Sequence, residues 1–148
     1  MCKKIMKKSV CILILTLLLF LLLPGISNSQ ILRDQSGIRT GSIDTDGTVR
    51  NSSGIRIGSF DGDGSIRDKS GIRFGNIDTD GTIRDKSGIR IGKLEDDGVV
   101  RDACGIRIGN IDKDGLVRDK SGIRIGTAES ISVNQAAAYW FFDFFEQH

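Results

Sequence analysis

The amino-acid sequence predicts an all-β repeat protein, a closed ring or barrel of about twelve short antiparallel strands around a C-terminal hydrophobic helix. Three observations carry that expectation. All twelve arginines fall into two registers of six, each spaced seventeen residues apart without an insertion. Arg33, Arg50, Arg67, Arg84, Arg101 and Arg118 form the first, and Arg39, Arg56, Arg73, Arg90, Arg107 and Arg124 the second. Every unit carries two glycine-bearing turn motifs separated by short runs of isoleucine and valine. The array also starts with a lone second strand, Ile31–Arg33, and stops with a lone first strand, Gly122–Gly126. Complementary ends are what a cut ring leaves behind, and pairing them removes both sheet edges. A parallel β-solenoid is the rival architecture, but it does not need complementary ends and needs caps instead.

The chain opens on a segment that reads as a leader, residues 1–29. Four lysines precede Val10–Leu23, an apolar run broken only by Thr16, and Pro24 and Gly25 end it. Ser27-Asn28-Ser29 then offers the small-x-small pattern of a signal-peptidase site, with cleavage expected between Ser29 and Gln30. Fourteen residues at about 1.5 Å rise reach about 21 Å, short of the ~30 Å hydrocarbon core. The chain that follows carries 17 Lys and Arg against 19 Asp and Glu, a net charge near −2. That balance removes the case for nucleic-acid binding. Cys104 is the one cysteine beyond the leader, so no intramolecular disulfide is available. It replaces the serine found at this position in the other five units.

Residues 30–126 form the six units. Asp-x-Asp-Gly suits a tight hairpin loop, because aspartate accepts nearby backbone N–H groups and glycine takes a positive φ. Asp-x-Ser-Gly has the same chemistry. Alternation of Ile55 and Ile57 around Arg56 predicts a strand with one buried face. Ile43, Phe60, Ile77, Leu94 and Ile111 are out of phase with that face, and the preceding glycines Gly41, Gly58, Gly75, Gly92 and Gly109 mark a bulge that restores it.

Residues 127–148 form a linker and helix. Ser132-Val-Asn-Gln135 reads as a capping box, and three alanines lead into Tyr139-Trp-Phe-Phe-Asp-Phe-Phe145. About ten apolar residues are too few to span a membrane, and a helix apolar all round is otherwise buried. A twelve-strand ring lined by thin Ile and Val side chains needs a filler, so the helix is expected to thread the ring. A membrane-surface anchor or a dimer contact are its alternative uses. Asp143 is expected near a barrel mouth or beside an arginine.

The D-G-x-[IV]-R-D-x-S-G-x-x-x-G units followed by an Ala-rich, then Phe-rich terminus resemble the β-flower repeat families of bacteria, from Ile31 to about Phe145. Their shape is similar to the tubby C-terminal barrel, twelve strands around a hydrophobic helix. The resemblance implies a fold and brings no catalytic residues.

Calcium is the sharpest chemical alternative. The weak candidate ligands are Asp44, Asp46, Asp61, Asp63, Asp78, Asp80, Asp112 and Asp114. Position twelve of an EF-hand-like loop counted from Asp44 is Ile55, not glutamate, and Lys113 would oppose a cation, so a turn is the preferred reading. Arg–Asp ladders on a solvated face account for the arginines, as in Arg67-Asp68. The one histidine is His148, the last residue, and symmetry spreads every repeated residue over six positions. These features point away from an enzyme and from any cofactor. The expected function is an exported non-enzymatic module, periplasmic or secreted, structural or partner-binding. A small-molecule or lipid-binding barrel, or a weak calcium-binding repeat protein, is the alternative, so a protein or a lipid is the expected partner.

Overall fold

The structure, a computed structural model, describes residues 29–145. The expected leader and the extreme C-terminus lie outside the described residues. The first strand of the ring is β1 (Gln30–Asp34), and the other odd strands are β3 (Thr48–Asn51), β5 (Ser65–Asp68), β7 (Thr82–Asp85), β9 (Val99–Asp102) and β11 (Leu116–Asp119). The even strands are β2 (Arg39–Ile43), β4 (Arg56–Phe60), β6 (Arg73–Ile77), β8 (Arg90–Leu94), β10 (Arg107–Ile111) and β12 (Arg124–Ala128). All twelve pair antiparallel with their neighbours, and β12 returns to β1, so the barrel is closed.

Closure repeats the internal register. Leu32 faces Ala128 and Asp34 faces Gly126 across the seam. One unit further on, Val49 faces Ile43 and Asn51 faces Gly41 in the same way. The seam is therefore one more copy of the repeat contact, without its turn. On the other flank of each odd strand the register slips by one residue. Leu32 faces Gly41 while Arg33 faces Arg39, leaving Thr40 unmatched, and the slip recurs in every unit. The bulge expected from the glycines is present and falls on the residue before each.

Both turns follow from their aspartates. In the first, Ser36 and Ile38 donate their backbone N–H groups to Asp34 Oδ1 at 2.8 and 2.9 Å, and Gly37 takes φ +80°. In the second, the Thr48 N–H donates to Asp46 Oδ1 at 2.9 Å and Gly47 takes φ +86°. The carbonyl of Gly47 then accepts from the Phe60 N–H in the next hairpin, tying neighbouring units together at that end. An L-residue there would be strained in φ, and its Cβ would also strike the Phe60 carbonyl.

The core is layered. Odd strands contribute Leu32, Val49, Ile66, Ile83, Val100 and Val117, and even strands Ile43, Phe60, Ile77, Leu94, Ile111 and Ala128, all buried. The expectation for Ile55 fails. It is exposed, because it closes the turn, donating its N–H to Asn51 Oδ1, and the strand begins one residue later. Its partner in the alternation, Ile57, is half-buried against the core.

The helix α1 spans Val133–Phe141, with Ser132 as N-cap accepting the Gln135 N–H at 3.3 Å. Its three alanines, Ala136, Ala137 and Ala138, are fully buried inside the ring. The helix is shorter than the sequence suggests. It ends at Phe141, Asp143 takes φ +49°, and Phe144 and Phe145 lie in a turn beyond it.

Candidate functional site

The barrel has an inside and two ends, and each is built from a different part of the repeat. Inside, Gly41 and its equivalents in the other five units, Gly58, Gly75, Gly92, Gly109 and Gly126, are the deciding residues. A Cβ on Gly41 would lie 2.9 Å from Tyr139 Oη, and one on Gly58, Gly75 or Gly126 would lie 2.5 Å from Phe145, Phe144 or Trp140. Gly92 and Gly109 meet Phe142 and Phe141 more closely still. None of these glycines has a positive φ, so space is what they supply. Six glycines receive six aromatic rings, one per unit, and successive tail residues meet successive units around the ring. The wall is bulky where the helix is alanine, and bare where the tail is aromatic.

This arrangement explains why the helix stops. Consecutive α-helical residues are about 100° apart, whereas six units are spaced about 60°. An unbroken helix over-rotates relative to the glycines. Ending it at Phe141 and passing through Asp143 lets Phe144 and Phe145 reach their units. The rings also pack on one another and on the wall: Phe145 meets Phe60 edge-on at 5.3 Å, and Phe144 meets Phe74 at 5.3 Å.

One end carries the Asp-x-Asp-Gly turns. The first aspartate of each binds the arginine six residues on: Arg50 Nε donates to Asp44 Oδ2 at 2.9 Å, and Arg84 Nε to Asp78 Oδ2 at 2.7 Å. Arg67–Asp61, Arg118–Asp112 and Arg101–Glu95 repeat the pair. The acid that follows five of the six first-register arginines, expected as the ladder partner, instead closes the other turn, and Asn51 does the same after Arg50. Three of the second aspartates are held below their ordinary value of 3.8, first by a backbone N–H and then by a hydroxyl: Asp46 by Thr48, Asp63 by Ser65 and Asp80 by Thr82. Of the calcium candidates, Asp44, Asp61, Asp78 and Asp112 thus bind arginine, and Asp46, Asp63 and Asp80 cap the backbone. Among the described residues, no group of three His, Cys, Asp or Glu side chains is placed to hold a metal.

The other end carries the Asp-x-Ser-Gly turns and the mouth toward which the aromatic tail runs. Each first-register arginine reaches it too, as when Arg67 Nη1 donates to the Gly71 carbonyl at 3.0 Å. Asp143 is exposed, beside the tail aromatics that reach this mouth. Between two units a recess of about 450 Å³ is lined by Ile55, Arg56, Ile57, Phe74, Phe144 and Phe145, among others. Ile38, Ile55, Ile72, Ile89, Ile106 and Ile123 stand around this rim, each 60–65% exposed. The sequence reading missed them by placing Ile55 on a buried face. Their position immediately after a turn glycine was the available signal.

A family model described as "5-fold beta-flower protein" matches residues 29–145. The chain belongs to that family. Comparison with curated proteins and with solved structures gives no match. In this β-flower the ring-facing glycines Gly41 to Gly126, the arginines of each register and the Asp-x-Ser-Gly turns, counting those with Asn51 and Cys104, each number six, and the Asp-x-Asp-Gly hairpins, counting the one opened by Glu95, number five. The difference is the seam, where β12 and β1 pair without a connecting turn. Among the described residues of the β-flower, no helix is long and apolar enough to cross a membrane.

Proposed function

We propose that this β-flower is an exported, non-enzymatic module that binds a partner through a rim of its barrel. The observation that carries the reading is the filled interior. Six glycines hold six of the chain's own aromatic rings, which occupies the space a barrel of this size would otherwise offer a ligand. What remains for recognition is the outer surface at the two ends. There the functional groups recur once per unit, an arrangement suited to multipoint contact and poorly suited to a single reacting centre. The charged, then apolar composition of Met1–Leu23 supports export.

The test is native mass spectrometry of the protein purified from its own host, before and after EDTA, alongside cross-linking in intact cells. The expected result is a bare polypeptide mass unchanged by EDTA, with cross-links to a surface component of the cell. Mass lost to EDTA overturns the turn reading of the aspartates in favour of a cation. The recess between Ile57, Phe74, Phe144 and Phe145 favours one second reading, a small apolar ligand. Mass that survives EDTA and is lost on denaturation would select it.

A further inference from the structure

The isoleucine rim is the feature that the fold does not account for. Ile38, Ile55, Ile72, Ile89, Ile106 and Ile123 are the large hydrophobic residues left exposed among the described residues. Scattered surface isoleucines are ordinary, but a complete ring on one face is not. The turn position three residues earlier, also exposed, has drifted within the same chain to Gln35, Ser52, Lys69, Lys86, Ala103 and Lys120. The isoleucine has not changed in any unit, although its side chain is mostly exposed and the turn uses only its backbone N–H.

Beside each isoleucine stands an exposed second-register arginine, Arg39 through Arg124. With Lys69, Lys86 and Lys120 they make nine cations at this rim, against six carboxylates counting Asp143. The opposite rim carries twelve carboxylates, from Asp44 to Glu129, against two lysines and five arginines already in ion pairs. Charge is therefore polarised along the barrel axis, with the apolar ring at the positive end.

The geometry points to a docking face for an anionic lipid bilayer. This rests on the partner-binding reading above and names the partner. Closure in the repeat's own register means the six units are related by rotation without net rise, so the six isoleucines share one plane. A flat, laterally uniform surface meets all six at once, whereas a folded protein partner rarely presents matching six-fold symmetry. The isoleucines enter the headgroup–acyl boundary while the arginines, on long stems, reach phosphate and anionic headgroups. A second copy fits less well: like rims repel, and the acidic rim offers no apolar counterpart.

The test is vesicle flotation with the protein purified from its host, comparing phosphatidylcholine vesicles with ones containing about 30 mol % phosphatidylglycerol. Binding to the anionic vesicles should be roughly tenfold or more stronger, and should weaken as salt is raised. The pair Ile72→Ser and Ile89→Ser should lower partition about tenfold. The pair Arg73→Gln and Arg90→Gln should remove most of the preference for anionic lipid. Thr79→Ser, on the opposite rim, should change nothing. None of these positions is in the core, and unchanged thermal unfolding checks each fold. The salt dependence of the unaltered protein tests the idea without any variant. Absence of flotation at low salt, equal binding to neutral vesicles, or indifference to the isoleucine pair overturns the lipid assignment. A protein cross-linked in cells would then leave the binding-module reading standing, whereas a retained small molecule would remove both.

Discussion

At the scale of single residues, glycine and aspartate set the structure by different physics. Gly109 is needed because a methyl group would meet the Phe141 ring and, at 2.6 Å, the Arg118 carbonyl. Gly109→Ala should therefore destabilise the barrel by about 3 kcal/mol, measured by denaturant unfolding. Gly62 faces open space with an ordinary φ, so Gly62→Ala should stay within about 0.5 kcal/mol of the parent. Equal costs at the two sites would refute the close-approach argument. Asp46, Asp63 and Asp80 make a pH prediction. Their folded carboxyls titrate below the ordinary 3.8 because Thr48, Ser65 and Thr82 donate to the charged form. A depressed folded value means the contribution is complete above pH 3.8 and is lost as pH falls through the folded values. Melting temperature should be flat from neutrality to about pH 4.5 and fall below about pH 3.8, and the triple Asp→Asn variant should start lower and fall less.

At the scale of elements, the turns were legible from sequence and the strand phase was not. Asp-x-Asp-Gly announces itself because its side chains and its positive φ act locally, within four residues. The bulge could be placed beside Gly41, but of the two groups that demand the glycine, the Arg50 carbonyl on the adjacent strand and the Tyr139 ring, the second lies about a hundred residues away. Ile55 was misassigned because alternation does not say where a turn ends and a strand begins. The end of α1 was misread for the same kind of reason: propensity favours continuing through Phe142–Phe145, and the spacing of the ring overrides it. The start of the helix was readable from Ser132 and holds as a cap. Ser132→Ala should cost about 1 kcal/mol, seen as a lower midpoint in thermal unfolding. Most of the helix's stability comes from the buried alanines and rings, so the fold should survive the change.

At the scale of the whole molecule, closure leaves no edge. β1 and β12 pair with each other in the unshifted register that β6 and β7 use, so their amides should be as protected as those of β6 and β7. Hydrogen exchange read by mass spectrometry checks this, and rapid exchange confined to β1 and β12 would show that the seam opens. The ring was predictable because its two half-units are complementary in sequence, whereas the polarity of its ends emerges only when turns of one kind gather on one side. The pairing of Tyr139 through Phe145 with the six units has a genetic consequence. Tandem repeats change length by gaining or losing whole copies, and a barrel wall alone would accept such changes. Here the tail acts as a gauge of copy number. A seventh seventeen-residue unit would bring a glycine with no ring to fill it, and a lost unit would strand an aromatic ring, so the array and the segment Tyr139–Phe145 can change length only together.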